Sequence, residues 1–358
     1  MDQTAVAELP TAEDAAMQFM GRVANDFGAM AAVLLWALAD ELGLLSALTQ
    51  GAASGAGAAA TAGQVDPRSA EEILAGLACA GYLIRDDDTF RLPPQNAAVL
   101  LDGTALSCAG GALEVSAIAR MWPQVIDACR TGVGIDPTLY PGQFHAGMQR
   151  LSAPVYTQQL PDDGLAHIAG VIERLTTGAT VADIGCGHGL ALCGIAAKFS
   201  AVRGTGYDVD QQALDVARHN AEQQHLGDRV EFRRHDVALG LPEQYDLVLA
   251  FDILHDAGDP AAVADALRRA TRKDGVLLVL EPASADDPAD NIGPIGTLLH
   301  LFSVGYCLPV ATHNGQARLG TAGLPPARLQ DLLTTAGYSS FRQVPWQAGF
   351  NAVFEARP

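Results

Sequence analysis

Residues 180–199, TVADIGCGHGLALCGIAAKF, constrain the fold more than any other stretch of the chain. A short apolar and β-branched run reads as a strand, GCGHG as a tight turn, and LALCGIAAKF as a helix. A strand running through a glycine turn into a helix opens a doubly wound α/β unit. Ligands of such units lie beyond the carboxyl end of the strand, near the next helix N-terminus. Gly185, Gly187 and Gly189 permit the turn and close backbone approach. Their spacing, GxGxG preceded by Asp183, is not the dinucleotide GxGxxG.

The same alternation continues downstream. RGTGYDVD (203–210) predicts a second strand ending in Asp208, placed to accept hydrogen bonds from a ribose hydroxyl pair, as an acid at that point also does in NAD enzymes. RVEFRRHDVA (229–238) predicts a third strand. After it, Asp236 is suited to an adenine amino group or, as an alternative, to capping the strand end, and Val237 is suited to pressing on the ring. YDLVLAFDILHD (245–256) predicts the fourth strand, PAAVADALRRATRKDG (260–275) a helix and VLLVLEPA (276–283) a fifth strand. Strands and helices alternating in this way predict a mainly parallel sheet covered by helices. PPARLQDLLTTAGY (325–338) predicts a last helix, and FRQVPW and FNAVFEARP a terminal strand pair.

The N-terminal part is different. Residues 14–48 show an i, i+3, i+4 apolar recurrence, which predicts one or two helices with a stop near Gly43. GAASGAGAAATAGQVDP has the composition of a flexible linker. Pro67 then starts another helical stretch, and RDDDTFRL predicts a turn between two short strands. Helix, helix, helix and hairpin is the outline of a winged helix, which raises DNA binding as a function. Residues 1–100 carry four arginines and no lysine against thirteen acidic residues, and Asp86, Asp87 and Asp88 sit in the wing. This charge opposes phosphate contact, and an apolar first helix serving a subunit interface explains the segment better. The whole chain, with a net charge of −19 over 358 residues, likewise disfavours nucleic acid and anionic membrane. No basic leader is evident and no uncharged apolar run long enough for a membrane span is expected, so a cytoplasmic protein is the expectation. The six cysteines form no CxxC pair and are expected to be small core residues for the most part.

Read together, DIGCGHG, YDVD, RRHDV and YDLVLAFDILHD resemble, in order, the cofactor, ribose, adenine and reaction-centre motifs of class I S-adenosylmethionine-dependent methyltransferases. With the N-terminal segment included, the chain resembles dimeric plant-type small-molecule O-methyltransferases and, more closely, bacterial relatives, through GYDVDQQALDVAR, FDILHDAGDP and RLGT. The resemblance implies a Rossmann-like α/β domain over 166–358. It further implies a mostly helical winged-helix dimerisation domain over 1–100 and a helical bridge and pocket lid over 101–165. It implies S-adenosylmethionine as cofactor, with S-adenosylhomocysteine as product, held by Asp183, Gly185, Cys186, Gly187, Gly189, Asp208, Val209, Asp236, Val237 and Phe251. The expected activity is methyl transfer to a small aromatic or hydroxylated natural product, O-methylation ahead of C- or N-methylation, in a homodimer. A ligand-responsive DNA-binding regulator is the non-enzyme alternative.

In the resembled enzymes a histidine base follows the fourth strand, and here that position is His255, with Glu281 at the end of the fifth strand matching the acid that orients it. Neutral imidazole can take a phenolic proton at hydrogen-bond distance. Asp252 lies three residues upstream of His255 and Asp256 directly after it. Plant-type enzymes usually supply a second glutamate near an ERT-like segment, and this sequence reads ARLGTAGLPP there. Phe144, His145, Met148, Tyr156, Asp256, His300 and Tyr306 are candidate acceptor contacts, and Asn291, Cys307, His313 and Asn314 lie in the same late insertion. A metal held by His255 with His300 or His313 is the other possibility for this region, but no compact HxH, HxxxH or HExxH pattern supports it, and no metal is expected.

Overall fold

The computed structural model of the protein describes residues 11–358, and the chain divides into two compact units, Met1–Ser116 and Ala117–Pro358. This differs from the expected boundaries at 100 and 165. Residues 101–116 belong with the N-terminal unit, and the rest of the expected bridge belongs with the α/β unit.

In the N-terminal unit, helix α1 (Ala12–Glu41) starts at Thr11, whose side chain and that of Asp14 cap each other's backbone in a capping box. It ends before Gly43, which takes φ 70°. Three short elements follow: α2 (Leu44–Ala47), α3 (Gly55–Ala62) and α4 (Pro67–Cys79). The segment that reads as a flexible linker is therefore helical. Ser54 caps α3 by accepting from Gly57 N, Ala58 and Ala59 are buried, and a Cβ on Gly55 would come within 2.7 Å of the Glu71 Cα. Small residues are what let α3 lie directly on α4, so a composition typical of a linker here serves helix packing. Strands β1 (Ile84–Asp86) and β2 (Thr89–Arg91) pair antiparallel around Asp87, and Ala53 bridges to Phe90. Phe90 is fully buried among Leu44, Leu45, Leu74 and Leu77. Trp36 joins this core and donates its indole N–H to the Leu100 carbonyl at 3.1 Å. Each such side chain contributes about 1.5–3 kcal/mol on burial, and the result keeps the winged-helix outline.

The second unit is built on a seven-stranded sheet. Strands β3 (Thr180–Ile184), β4 (Arg203–Asp208), β5 (Val230–Arg234), β6 (Tyr245–Phe251) and β7 (Thr271–Pro282) are parallel, while β8 (Ser340–Ala348) and β9 (Asn351–Arg357) form the antiparallel end. The order is β5-β4-β3-β6-β7-β9-β8. The central strands read as unbroken apolar runs because both faces are covered. Leu247, Leu249 and Phe251 enter one core and Val248 and Ala250 the other, and Leu278 and Leu280 alternate with Leu277 and Val279 in the same way. The helix expected to run to Gly275 stops at Ala270, and β7 begins at Thr271. Thr271 pairs with Tyr245, and Gly275 lies so close to the Tyr245 carbonyl that a Cβ would be 3.0 Å from it.

The segment before the sheet is helical and broken at residues 132–136. Two π turns interrupt this unit's helices, Val155–Gln159 and Ser303–Cys307. By length and composition alone two helical stretches, Ala12–Glu41 and Pro294–His313, reach what a bilayer crossing needs. The second contains no Asp, Glu, Lys or Arg, so the expectation of no such run fails there. It is one wall of the α/β unit: Leu299, Ser303, Cys307 and Ala311 are buried along it. All six cysteines are free and only Cys193 and Cys307 are buried, fewer than composition suggested.

Candidate active site

The glycine loop follows β3 in left-handed backbone at Gly185, Gly187 and Gly189 (φ 64°, 48° and 70°), a region that costs other residues about 1–2 kcal/mol. A Cβ on Gly185 would strike Ile253, so the loops after β3 and β6 touch at this point. The Asp208 carboxylate, at the end of β4, accepts from Gly187 N at 2.8 Å and from Asp210 N at 2.9 Å. It is thereby fixed over the loop. Asp183 is buried, and that burial pushes its carboxyl up to about 7 despite a bond from the Leu192 N–H. Cys186 is part-buried with its N–H on the Tyr207 carbonyl, and burial raises its thiol pKa.

Other positions on this rim differ in character. Val209 is exposed, and Asp236 is exposed and caps the turn Val237–Leu239 by accepting from Ala238 N at 3.0 Å, which is the capping alternative. Val237 packs into the core rather than standing free. Phe251 is buried at the end of β6, with the Tyr156 ring stacked on it at 5.5 Å.

Four residues further on, the chain places His255 with 5% exposure. Its Nδ1 lies 2.6 Å from Glu281 Oε2, and Glu281 Oε1 accepts from Leu254 N at 2.9 Å. Glu281 is 1% exposed, so both carboxylate oxygens of a buried acid are engaged, as a buried charge requires. A carboxylate is acceptor-only, so in the neutral ring Nδ1 carries the proton and Nε2 keeps its lone pair. Burial works against the imidazolium, but the Glu281 charge, the bonds to Cys307 and Glu281, and the Asp256 charge outweigh it and raise the His255 pKa. Nε2 faces the Asp256 carboxylate at 3.5 Å and Cys307 Sγ at 4.0 Å. Sγ in turn lies 3.1 Å from Thr321 Oγ1. The ARLGT stretch, where a second glutamate is expected by resemblance, therefore supplies a buried threonine that holds a thiol against the imidazole.

Asp252, at φ 56°, forms a second cluster. It accepts from the Tyr156 hydroxyl at 3.0 Å and from Asn351 Nδ2 at 2.7 and 2.8 Å. Its carboxyl is enclosed by these partners although part of the residue remains accessible, and burial, then the Glu281 charge, push it up to about 6.

Of the expected acceptor contacts, Tyr306 and Phe144 pack tilted at 34° with ring centroids 4.3 Å apart beside Tyr140, and Phe144 is enclosed in that aromatic cluster. His145 is exposed with its ring 6.4 Å from Tyr306. Met148 and His300 are exposed, as is His313. Among the described residues, the group of His, Cys, Asp and Glu close enough to share an ion is His255, Asp256 and Cys307, without a second histidine. Asn291 accepts from Ala285 N and so shapes its own loop. Thr321 and Asn351 escaped the sequence reading: Asn351 reaches Asp252 only through the pairing of β9 with β7, opposite Pro282, and nothing local in the sequence signals it.

A Rossmann-like sheet with this glycine loop and the mostly helical N-terminal unit define the class I methyltransferase fold. The methyltransferase domain family matches residues 175–297. The chain superposes on the structure of PigF with S-adenosylhomocysteine at TM-score 0.70 and 21% identity, covering 97% of this chain and all of that one. It superposes on mitomycin 7-O-methyltransferase MmcR at TM-score 0.68 and 23% identity, covering 96% and 99%. In sequence it is 40% identical over 78 residues to the ribosomal protein L11 methyltransferase of Dictyoglomus turgidum, 22% of this chain and 25% of that protein. The chain spans about a quarter of the length of such curated relatives.

Gly189→Ala should lower stability by more than Gly187→Ala. The first places a Cβ 2.5 Å from the Phe232 ring in left-handed backbone, and the second meets nothing within 4 Å. Urea denaturation of both should give about 1–2 kcal/mol for Gly187→Ala and a clearly larger loss for Gly189→Ala.

Proposed function

We propose that the protein transfers a methyl group from S-adenosylmethionine to a hydroxyl of a small aromatic or hydroxylated natural product. The observation that carries this reading is the buried His255–Glu281 pair, set at the end of β7 and the loop after β6, next to the glycine loop. The names of the similar structures agree with it, one being bound to S-adenosylhomocysteine and one being an O-methyltransferase.

The residues present fit the cofactor. The loop Gly185–Gly189 has backbone that a side chain would obstruct at Gly185 and Gly189, Asp208 is fixed with acceptor oxygens for a ribose, and Asp236, exposed with one oxygen on Ala238 N, keeps a second oxygen able to accept from an adenine amino group. Cys186 and Phe251 contribute to the walls, and Val209 is exposed at the rim. When bound, the sulfonium supplies an electrophilic methyl carbon. The chain's own part is to orient the acceptor and take its proton at His255 Nε2, while Glu281 holds Nδ1–H and so fixes the tautomer. Tyr306, Asp256 and Tyr156 frame the acceptor's approach. Exclusion of water and positioning account for the remainder of the rate.

Calorimetry should detect S-adenosylhomocysteine binding and none of NAD; binding of NAD alone would overturn the reading. His255→Ala should keep that affinity and lower kcat by about 10²–10⁴-fold. The base must be unprotonated to accept, so kcat/KM rises with pH through the His255 pKa. Glu281→Gln removes the charge that raises this pKa, so the acidic limb should move to lower pH in a pH–rate profile, together with a lower plateau.

The homodimer is part of the same proposal. On α1, Met17, Phe19, Met20, Phe27 and Met30 are each more than half exposed, and a run of exposed apolar side chains of this length is best explained by a partner. A second copy using the same helix satisfies a two-fold interface. Phe19→Lys with Phe27→Lys should shift sedimentation from dimer to monomer; an unchanged dimer would place the interface elsewhere.

A further inference from the structure

The groups around Nε2 have a chemistry that proton transfer does not use. His255 Nε2, an Asp256 carboxylate oxygen and Cys307 Sγ all lie within 4.8 Å of one another, with Nε2 3.5 Å from the carboxylate and 4.0 Å from the sulfur. A tetrahedral ion with bonds of about 2.0–2.3 Å needs its ligand atoms roughly 3.3–3.6 Å apart. The nitrogen and the carboxylate already meet that distance, and the sulfur, 4.0 Å from the nitrogen and within 4.8 Å of the carboxylate oxygen, must close by about half an ångström on the first and by up to about 1.3 Å on the second.

We propose that His255, Asp256 and Cys307 form a binding site for a thiophilic divalent cation of the zinc class. The donor set is one imidazole nitrogen, one thiolate and one carboxylate oxygen, with the fourth position open, which is the pattern of zinc sites that keep an exchangeable ligand. The surroundings match what a metal-bound histidine requires. Its other nitrogen is held by the buried Glu281 carboxylate at 2.6 Å, the carboxylate–histidine arrangement that orients an imidazole and raises its basicity toward a metal. Thr321 Oγ1, 3.1 Å from Cys307 Sγ, can donate to the thiolate once its proton has gone. On binding, the Cys307 thiol and any imidazolium at His255 Nε2 lose their protons to solvent, and the thiolate and carboxylate together balance the two positive charges of the ion. The filled site of ion, thiolate and carboxylate is therefore neutral. Entry is from the Asp256 side, where the side chain is 39% exposed while His255 is 5% exposed.

One consequence rests on the transfer reaction proposed above. An ion on Nε2 takes the lone pair that accepts the acceptor's proton, so the filled site is an inhibited one.

The test is a titration of the metal-stripped full-length protein with Co²⁺ followed by absorption. One equivalent should give visible bands of tetrahedral cobalt and a near-ultraviolet thiolate-to-cobalt band, and Zn²⁺ should abolish both. Cys307→Ser, with the other five cysteines kept, should lose the thiolate band. Asp256→Asn, a change at a part-exposed position, should weaken cobalt binding at least tenfold. Absence of the bands in the parent protein, or their persistence in Cys307→Ser with Asp256→Asn binding unchanged, would overturn the site. Transfer assays with added Zn²⁺ test the consequence separately. One equivalent should stop turnover in the parent. Full turnover with zinc bound would overturn the inhibitory role and leave the site standing, whereas bands in a protein with no transferase activity would count against the proposed reaction and not against the site.

Discussion

The second unit is organised around the requirement that Glu281 be buried and charged at the same time. A carboxylate at the end of a central strand costs several kcal/mol in desolvation unless its oxygens are bonded. Here one oxygen takes the Leu254 N–H and the other the His255 ring. Satisfying the acid thus fixes the path of the chain leaving β6 and the orientation of the imidazole in a single arrangement. The same bonds aim Nε2 away from the strand ends toward Asp256 and Cys307, and the Ile253 side chain in that turn limits the glycine loop to residues without a Cβ at Gly185.

Much of this could be read from the sequence because it is local. The strands announce themselves as apolar runs and the loop by its three glycines, while His255 and Glu281 are legible only through the resemblance of the segments around the fourth and fifth strands to known methyltransferase motifs. The mainly parallel sheet and its terminal strand pair are those expected. What could not be read depends on contacts across the fold. Thr321 meets Cys307 and Asn351 meets Asp252 across long chain separations, and residues of those types occur in many loops without such partners. Composition misled where small residues were concerned: GAASGAGAAATA has the makeup of a linker, yet the missing side chains are what allow α3 to lie on α4.

The N-terminal unit shows an architecture with its electrostatics turned away from one common use. The hairpin tip carries Asp86, Asp87 and Asp88, with Asp87 in left-handed backbone at the turn. A wing of this kind repels a phosphate backbone at any salt concentration where charge matters. The apolar surface of the unit lies instead along α1, so its binding capacity is hydrophobic in kind.

The two π turns, Val155–Gln159 and Ser303–Cys307, hold Tyr156 and the Tyr306–Cys307 pair. A π turn accommodates one residue more than regular helix would, and each residue of an α-helix advances the facing direction by about 100°. Tyr156 reaches Asp252 and Cys307 reaches His255 from these wider turns. The walls around Asp252 and His255 are therefore set by helical phase as much as by residue identity. A lineage can re-aim such a wall by gaining or losing one codon, exchanging the side chains it presents while the sheet and the His255–Glu281 pair stay as they are.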